Sequence, residues 1–110
     1  MGCWQIAGNH MVNGRPNGWG DFSEKDAVDL LVYAMEQGIE LFDTAAGYNY
    51  GRSEILLGKA LQETNLTPFI SSKIALNEQE VFDGRIDEDT FLERLEGSLS
   101  RLRLRKIDLL

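Results

Sequence analysis

Apolar positions along the chain alternate between short continuous runs and helical spacing. Cys3-Trp4-Gln5-Ile6-Ala7 is a compact apolar run and predicts a first strand. Gly8 to Asp21 carries Pro16 and four glycines and predicts an irregular, exposed loop. Ser23, with Asp26 three residues on, is a helix start resembling a capping box. Ala27, Val28, Leu30, Leu31, Ala34 and Met35 then form one broad apolar face, and Gly38 supplies the stop. Ile39 to Thr44 predicts the second strand. Ser53 to Glu63 predicts the second helix, with Ser53 as its cap and Ile55, Leu56, Leu57, Ala60 and Leu61 as core candidates. Pro68 opens a third strand over Phe69–Lys73, and a polar loop is expected from about Ala75 to Ile86. Asp87 caps a third helix, with Glu88 and Asp89 in its first turn and Phe91, Leu92, Leu95, Leu99 and Leu102 at helical spacing. Ile107-Asp108-Leu109-Leu110 predicts a fourth strand.

The predicted order is β-α-β-α-β-α-β. Successive strands lie roughly 30 to 40 residues apart, a separation that favours parallel strands joined by right-handed crossovers. Two α/β architectures suit this order: an open doubly wound sheet, or part of a parallel (β/α)8 TIM barrel. A barrel takes ~250 residues, so 110 residues supply about three and a half βα units. Parallel strands are normally buried on both faces. Four strands with three helices leave the last strand uncovered. The expectation is an incomplete amino-terminal portion of a single domain, or a chain that covers its apolar surface by association.

Composition narrows the function. Hydrophobic residues make up 43% and charged residues 26% of the chain, as in ordinary globular proteins. The formal net charge of −7 disfavours nucleic acid as the main partner. Arg101, Arg103, Arg105 and Lys106 are the exception, and their place near a helix end suits the helix dipole. No apolar run approaches the ~18–20 residues that span a bilayer, and no secretory leader is visible. A single cysteine, Cys3, fits a reducing compartment such as the cytoplasm. The lone His10 and distant Cys3 make no metal site.

Sites in parallel α/β folds form at the carboxyl ends of the strands. Asp43 ends the second strand, Tyr48 follows five residues later, and Lys73 ends the third strand. Neighbouring strands are under ~5 Å apart, so Asp43 and Lys73 are within reach of each other. An ammonium beside a phenol favours the phenolate, and a carboxylate keeps the lysine charged and in place. Such a trio can protonate a developing alkoxide. A strand-end ion pair with a packed aromatic explains the same residues without catalysis. Trp4 belongs to the same rim, as a pocket wall or as a plug. Trp19 is expected to anchor its loop, and Glu54 to cap the second helix. Gly47 to Ser53 has the wrong spacing for a phosphate loop.

Asp43-Thr44-Ala45-Ala46-Gly47-Tyr48, Gly51-Arg52-Ser53-Glu54 and Leu57-Gly58-Lys59-Ala60-Leu61 together resemble the aldo-keto reductase signature. Gly38-Ile39, Ser71-Ser72-Lys73, Gly2-Cys3-Trp4-Gln5 and Ile107-Asp108-Leu109-Leu110 fit the same family in order. The resemblance implies a (β/α)8 barrel that binds NADPH, less often NADH, and transfers hydride to an aldehyde or ketone, a small-molecule carbonyl substrate. It implies Tyr48 as general acid, Lys73 as its tuner and Asp43 as partner of Lys73 and part of the cofactor site. It sets Cys3 and Trp4 beside the nicotinamide. Asn49 departs from the family's usual glycine and makes Tyr50 a rival for the acid; the spacing from Asp43 favours Tyr48. The family's catalytic histidine is expected beyond the fourth strand and has no counterpart here. The chain alone is therefore expected to be inactive and to self-associate. The alternative is a non-catalytic interaction module that completes its sheet with a partner chain.

Overall fold

A computed structural model describes all 110 residues. A 3-10 turn, Gln5–Ala7, precedes two short strands, β1 (His10–Val12) and β2 (Arg15–Asn17). There follow α1 (Glu24–Glu36), β3 (Leu41–Asp43), α2 (Arg52–Glu63), β4 (Phe69–Ser71), α3 (Glu78–Asp83) and α4 (Glu88–Leu102).

The parallel pairing follows chain order. Gly2 bridges Asp43, β3 pairs with β4 in register Phe42 to Ile70, and Ser71 bridges Leu109, all parallel. A doubly wound sheet reverses its strand order at a switch point. The order here runs in one direction, without such a reversal. These residues close no barrel.

One helical layer covers the sheet: α1 packs on α2, and α2 on α4. Phe42 and Ile70 point into that layer and join Leu31, Leu56, Leu57 and Leu102 in the core. Side chains alternate along a strand. Leu41, Phe69 and Leu109 therefore share the opposite face, where they are 47%, 44% and 57% exposed. The molecule is only 18 Å thick in its shortest dimension, one sheet and one layer of helices.

Several local expectations are corrected. Cys3–Ala7 is not a strand. Met1–Cys3 takes the place beside β3 through Asp43 N–H to Met1 O and Cys3 N–H to Asp43 O, both 2.8 Å. Trp4 already has helical angles, so the chain leaves the sheet there. The fourth strand is a single bridge at Leu109. The loop after Gly8 contains the antiparallel β1–β2 hairpin, turned by Asn13 and Gly14, both at positive φ. That geometry suits a two-residue hairpin turn, and Asn-Gly is its strongest sequence signal. The polar loop from Ala75 contains α3, capped reciprocally by Asn77 and Glu80.

Helix ends otherwise follow the sequence. Ser23 Oγ accepts from Asp26 N–H at 3.0 Å, and Asp87 Oδ1 from Thr90 N–H at 3.0 Å. Ser53 is not a cap. Gly51, at φ 83°, takes that position, and Ser53 is buried inside the first turn.

Candidate active site

The connection from β3 to α2 turns back sharply, and this turn separates the two tyrosines. Asn49, Tyr50 and Gly51 are consecutive left-handed residues, at φ 47°, 53° and 83°. Two of them are not glycine, which carries a backbone cost. Asn49 offsets part of it by donating from Nδ2 to Ala7 O at 2.7 Å, tying the turn to the segment after Trp4. Tyr48 is left half-buried above the strand ends. Tyr50 is 78% exposed. Its ring meets His10 edge-on at 5.3 Å, and its hydroxyl donates weakly to Met11 O at 3.4 Å.

Asp43, Tyr48, Lys73 and Trp4 converge. Lys73 Nζ donates to Asp43 Oδ1 at 2.6 Å and to Thr44 O at 2.9 Å. The same ammonium lies 5.3 Å from the centre of the Tyr48 ring. Trp4 stacks on Tyr48 with centroids 6.2 Å apart and planes 29° apart, and Trp19 meets Trp4 edge-on at 6.0 Å. Burial pulls the Lys73 ammonium toward neutrality. The Asp43 hydrogen bond, the Tyr48 phenol and the Asp43 charge outweigh it, so Lys73 is held above its ordinary value. It is a fixed cation at neutral pH. Its side chain is 51% and that of Asp43 39% exposed, so the pair is open to a ligand.

Cys3 does not join this rim. It is wholly buried, its thiol faces the core, and burial pushes that thiol up to about 12. Its main chain pairs with Asp43, but in this chain it offers a ligand no accessible atom.

Sequence reasoning missed a buried polar cluster beneath the rim. Glu54, expected as a cap, is fully buried. Its carboxylate accepts from Ser72 Oγ at 2.6 Å and from Arg101 Nε at 2.7 Å. Ser53 Oγ donates to Cys3 O and accepts from Thr44 Oγ1, both at 2.8 Å. The signal was present in Ser53-Glu54 itself: two polar residues at the start of an apolar helix, where the core face begins. The basic cluster proves largely engaged. Arg101 binds Glu54, Arg103 binds Gln62 and Lys106 binds Asp108.

The architecture is thus that of a parallel α/β protein with a lysine, a carboxylate and a tyrosine gathered at the strand ends. Comparison with known proteins agrees. The aldo/keto reductase family model matches residues 1–110, and the chain belongs to that family. Aldo-keto reductase YhdN of Bacillus subtilis is 33% identical over 113 residues, covering 99% of this chain and 31% of its own length. An NADH-specific methylglyoxal reductase of Escherichia coli is 38% identical over 63 residues, 57% of this chain and 18% of that protein. Among solved structures, the thermostable aldo-keto reductase Tm1743, in complex with the inhibitor epalrestat, superposes with a TM-score of 0.71 at 28% identity. That match covers 97% of this chain and 34% of the other. The chain spans about a third of the length of YhdN and Tm1743. No helix is long and apolar enough to cross a membrane.

Proposed function

We propose that this chain supplies the amino-terminal units of the barrel of a cytoplasmic NAD(P)H-dependent reductase of aldehydes or ketones, with Tyr48 as general acid. The observation that carries the proposal is the Lys73 ammonium, paired with Asp43 and lying against the Tyr48 ring.

The rim fits the nicotinamide end of such a cofactor. Trp4 offers a flat indole wall beside Tyr48, and Asp43 an accessible acceptor. Nearby arginines do not suit a pyrophosphate: Arg52 donates to Phe22 O, Arg94 pairs with Glu80 and Arg101 with Glu54. The phosphates are therefore assigned to other parts of the whole protein. NADPH is the proposed cofactor and NADH the alternative; the E. coli relative is named as NADH-specific. The bound cofactor supplies the hydride.

The chain's own residues handle the proton. As the carbonyl carbon gains hydride, its π electrons move to oxygen. The Tyr48 hydroxyl gives its proton to that oxygen, leaving the phenolate, which solvent reprotonates. The Lys73 ammonium stabilises the negative charge developing on the Tyr48 oxygen. Asp43 holds Lys73 charged and stationary. The test is aldehyde-dependent loss of reduced-cofactor absorbance by the native protein. Activity supports the proposal; its absence across short aldehydes and ketones with both cofactors contradicts it.

A second reading is an interaction module that covers its open sheet with another chain. The exposed Leu41, Phe69 and Leu109 favour it. A native protein that turns over carbonyl substrate as a monomer rules this out.

A further inference from the structure

We infer that the first turn of α2, through Ser53 and Glu54, positions the whole rim, and that Glu54 and Ser72 are positioning residues for Lys73. This deepens the proposed reading of Tyr48 and Lys73 and rests on it.

Each rim residue has a neighbour held by that turn. Ser53 Oγ donates to the carbonyl of Cys3, next to Trp4, at 2.8 Å. It accepts from the hydroxyl of Thr44, next to Asp43, at 2.8 Å. Ser53 N–H donates to the carbonyl of Tyr48 at 3.4 Å. Glu54 accepts from the hydroxyl of Ser72, next to Lys73, at 2.6 Å. Thr44, Ser53 and Glu54 are 0% and Ser72 1% exposed, so water does not substitute for these bonds. Ser53 has one proton. Its donation to Cys3 leaves it an acceptor for Thr44, so the direction of the chain is set.

The counter-ion has a cleared path. Arg101 crosses from α4 to reach Glu54. A Cβ on Gly51 would lie 2.6 Å from Arg101 Cδ, and one on Gly58 2.4 Å from Arg101 O. Gly51 thus admits the arginine side chain, and Gly58 admits the α4 backbone that carries it. A buried ion pair is a weak source of stability, and apolar side chains of equal volume often do as well. What the pair supplies instead is direction: Glu54 is held from the α4 side and can present its other oxygen only to Ser72. Lys73 itself is half-exposed on a long side chain. Its aim depends on a fixed starting point, Ser72, and fixed acceptors, Asp43 Oδ1 and Thr44 O. The starting point and the Thr44 acceptor both trace back to the same helix turn.

The test is steady-state kinetics across pH in the native protein. Ser72→Ala removes the link to the Lys73 strand and leaves the Glu54–Arg101 pair intact. The expected result is a kcat lower by roughly tenfold, with cofactor Kd unchanged, because misplacing a catalytic group costs rate before binding. The pH profile of kcat should also change, because Lys73 is no longer held in place beside Tyr48. Leu57→Ala, equally buried on the same helix, should lower stability and leave the profile in place. Ser53→Ala gives an independent reading through Thr44 and Asp43, with the same fall in kcat and the same change in its pH profile expected even if Ser72→Ala does not fold. Variants that lose stability but keep the wild-type profile would overturn the inference and make the cluster purely structural. If Lys73→Met also keeps full turnover, the reading of the rim itself has failed.

Discussion

Replacing three glycines by alanine separates backbone strain from the route of Arg101. Gly47 has an ordinary φ and open space around an added Cβ. Gly38 has φ +85° and open space. Gly51 has φ +83°, and its Cβ would meet Arg101 Cδ at 2.6 Å and Nε at 2.7 Å. Gly47→Ala should be neutral or stabilise by about 0.4–1 kcal/mol, because it restricts the unfolded chain. Gly38→Ala adds a left-handed alanine at about 1–2 kcal/mol, for a net loss near 1 kcal/mol. Gly51→Ala adds the same strain and drives Arg101 off Glu54. Breaking a buried pair costs about 3–5 kcal/mol, and 30% exposure of the arginine side chain argues for the lower end. The expected total is about 3–5 kcal/mol. Urea unfolding of the native protein and the three variants measures these differences directly. A loss at Gly51 no larger than at Gly38 would refute the reasoning, because the arginine's path would not need the glycine.

Two further outcomes concern other parts of the chain. Cys3 is buried and its thiol is pushed up to about 12, so it should resist a thiol reagent at mildly alkaline pH until the protein is unfolded; reaction at the rate of a free thiol would contradict its placement. Glu80 is held below the usual carboxylate range by the Arg94 guanidinium and the Asn77 N–H. A carboxyl depressed by folding contributes above its unfolded pKa of about 4.3 and loses that contribution as pH falls through the folded value. Amide protection over α3 should therefore drop below about pH 4, and Arg94→Ala should lower it already at neutral pH; protection independent of both would contradict the anchor.

The helices were legible because their signals are local. Ser23 and Asp87 each precede an amphipathic run, and both cap as expected. The order of strands was legible from spacing, and the strand-end positions of Asp43 and Lys73 followed from it. The first strand departs from expectation because a short, mostly apolar run, Cys3–Ala7, suits a buried strand and a buried turn equally. Trp4 leaves the sheet, while Ile6 and Ala7 still pack inside. The hairpin and α3 were missed although Asn13-Gly14 and Asn77…Glu80 announce them; polar composition concealed both. The Glu54 cluster was beyond local reading. Its partners, Ser72 and Arg101, are 18 and 47 residues away, and only folding brings them together. Tyr48 was separated from Tyr50 by spacing alone. The structure adds a physical reason, since three left-handed residues turn the second phenol toward His10.

The most direct test of the central claim compares Tyr48→Phe with Tyr50→Phe in the native protein, measuring kcat for carbonyl reduction and the Kd of the reduced cofactor. General-acid catalysis contributes about 10²–10⁴-fold, so Tyr48→Phe should lose at least about 100-fold in kcat with cofactor affinity retained. Tyr50→Phe should remain near wild type. Loss of turnover in Tyr50→Phe with Tyr48→Phe still active would contradict the assignment of the acid.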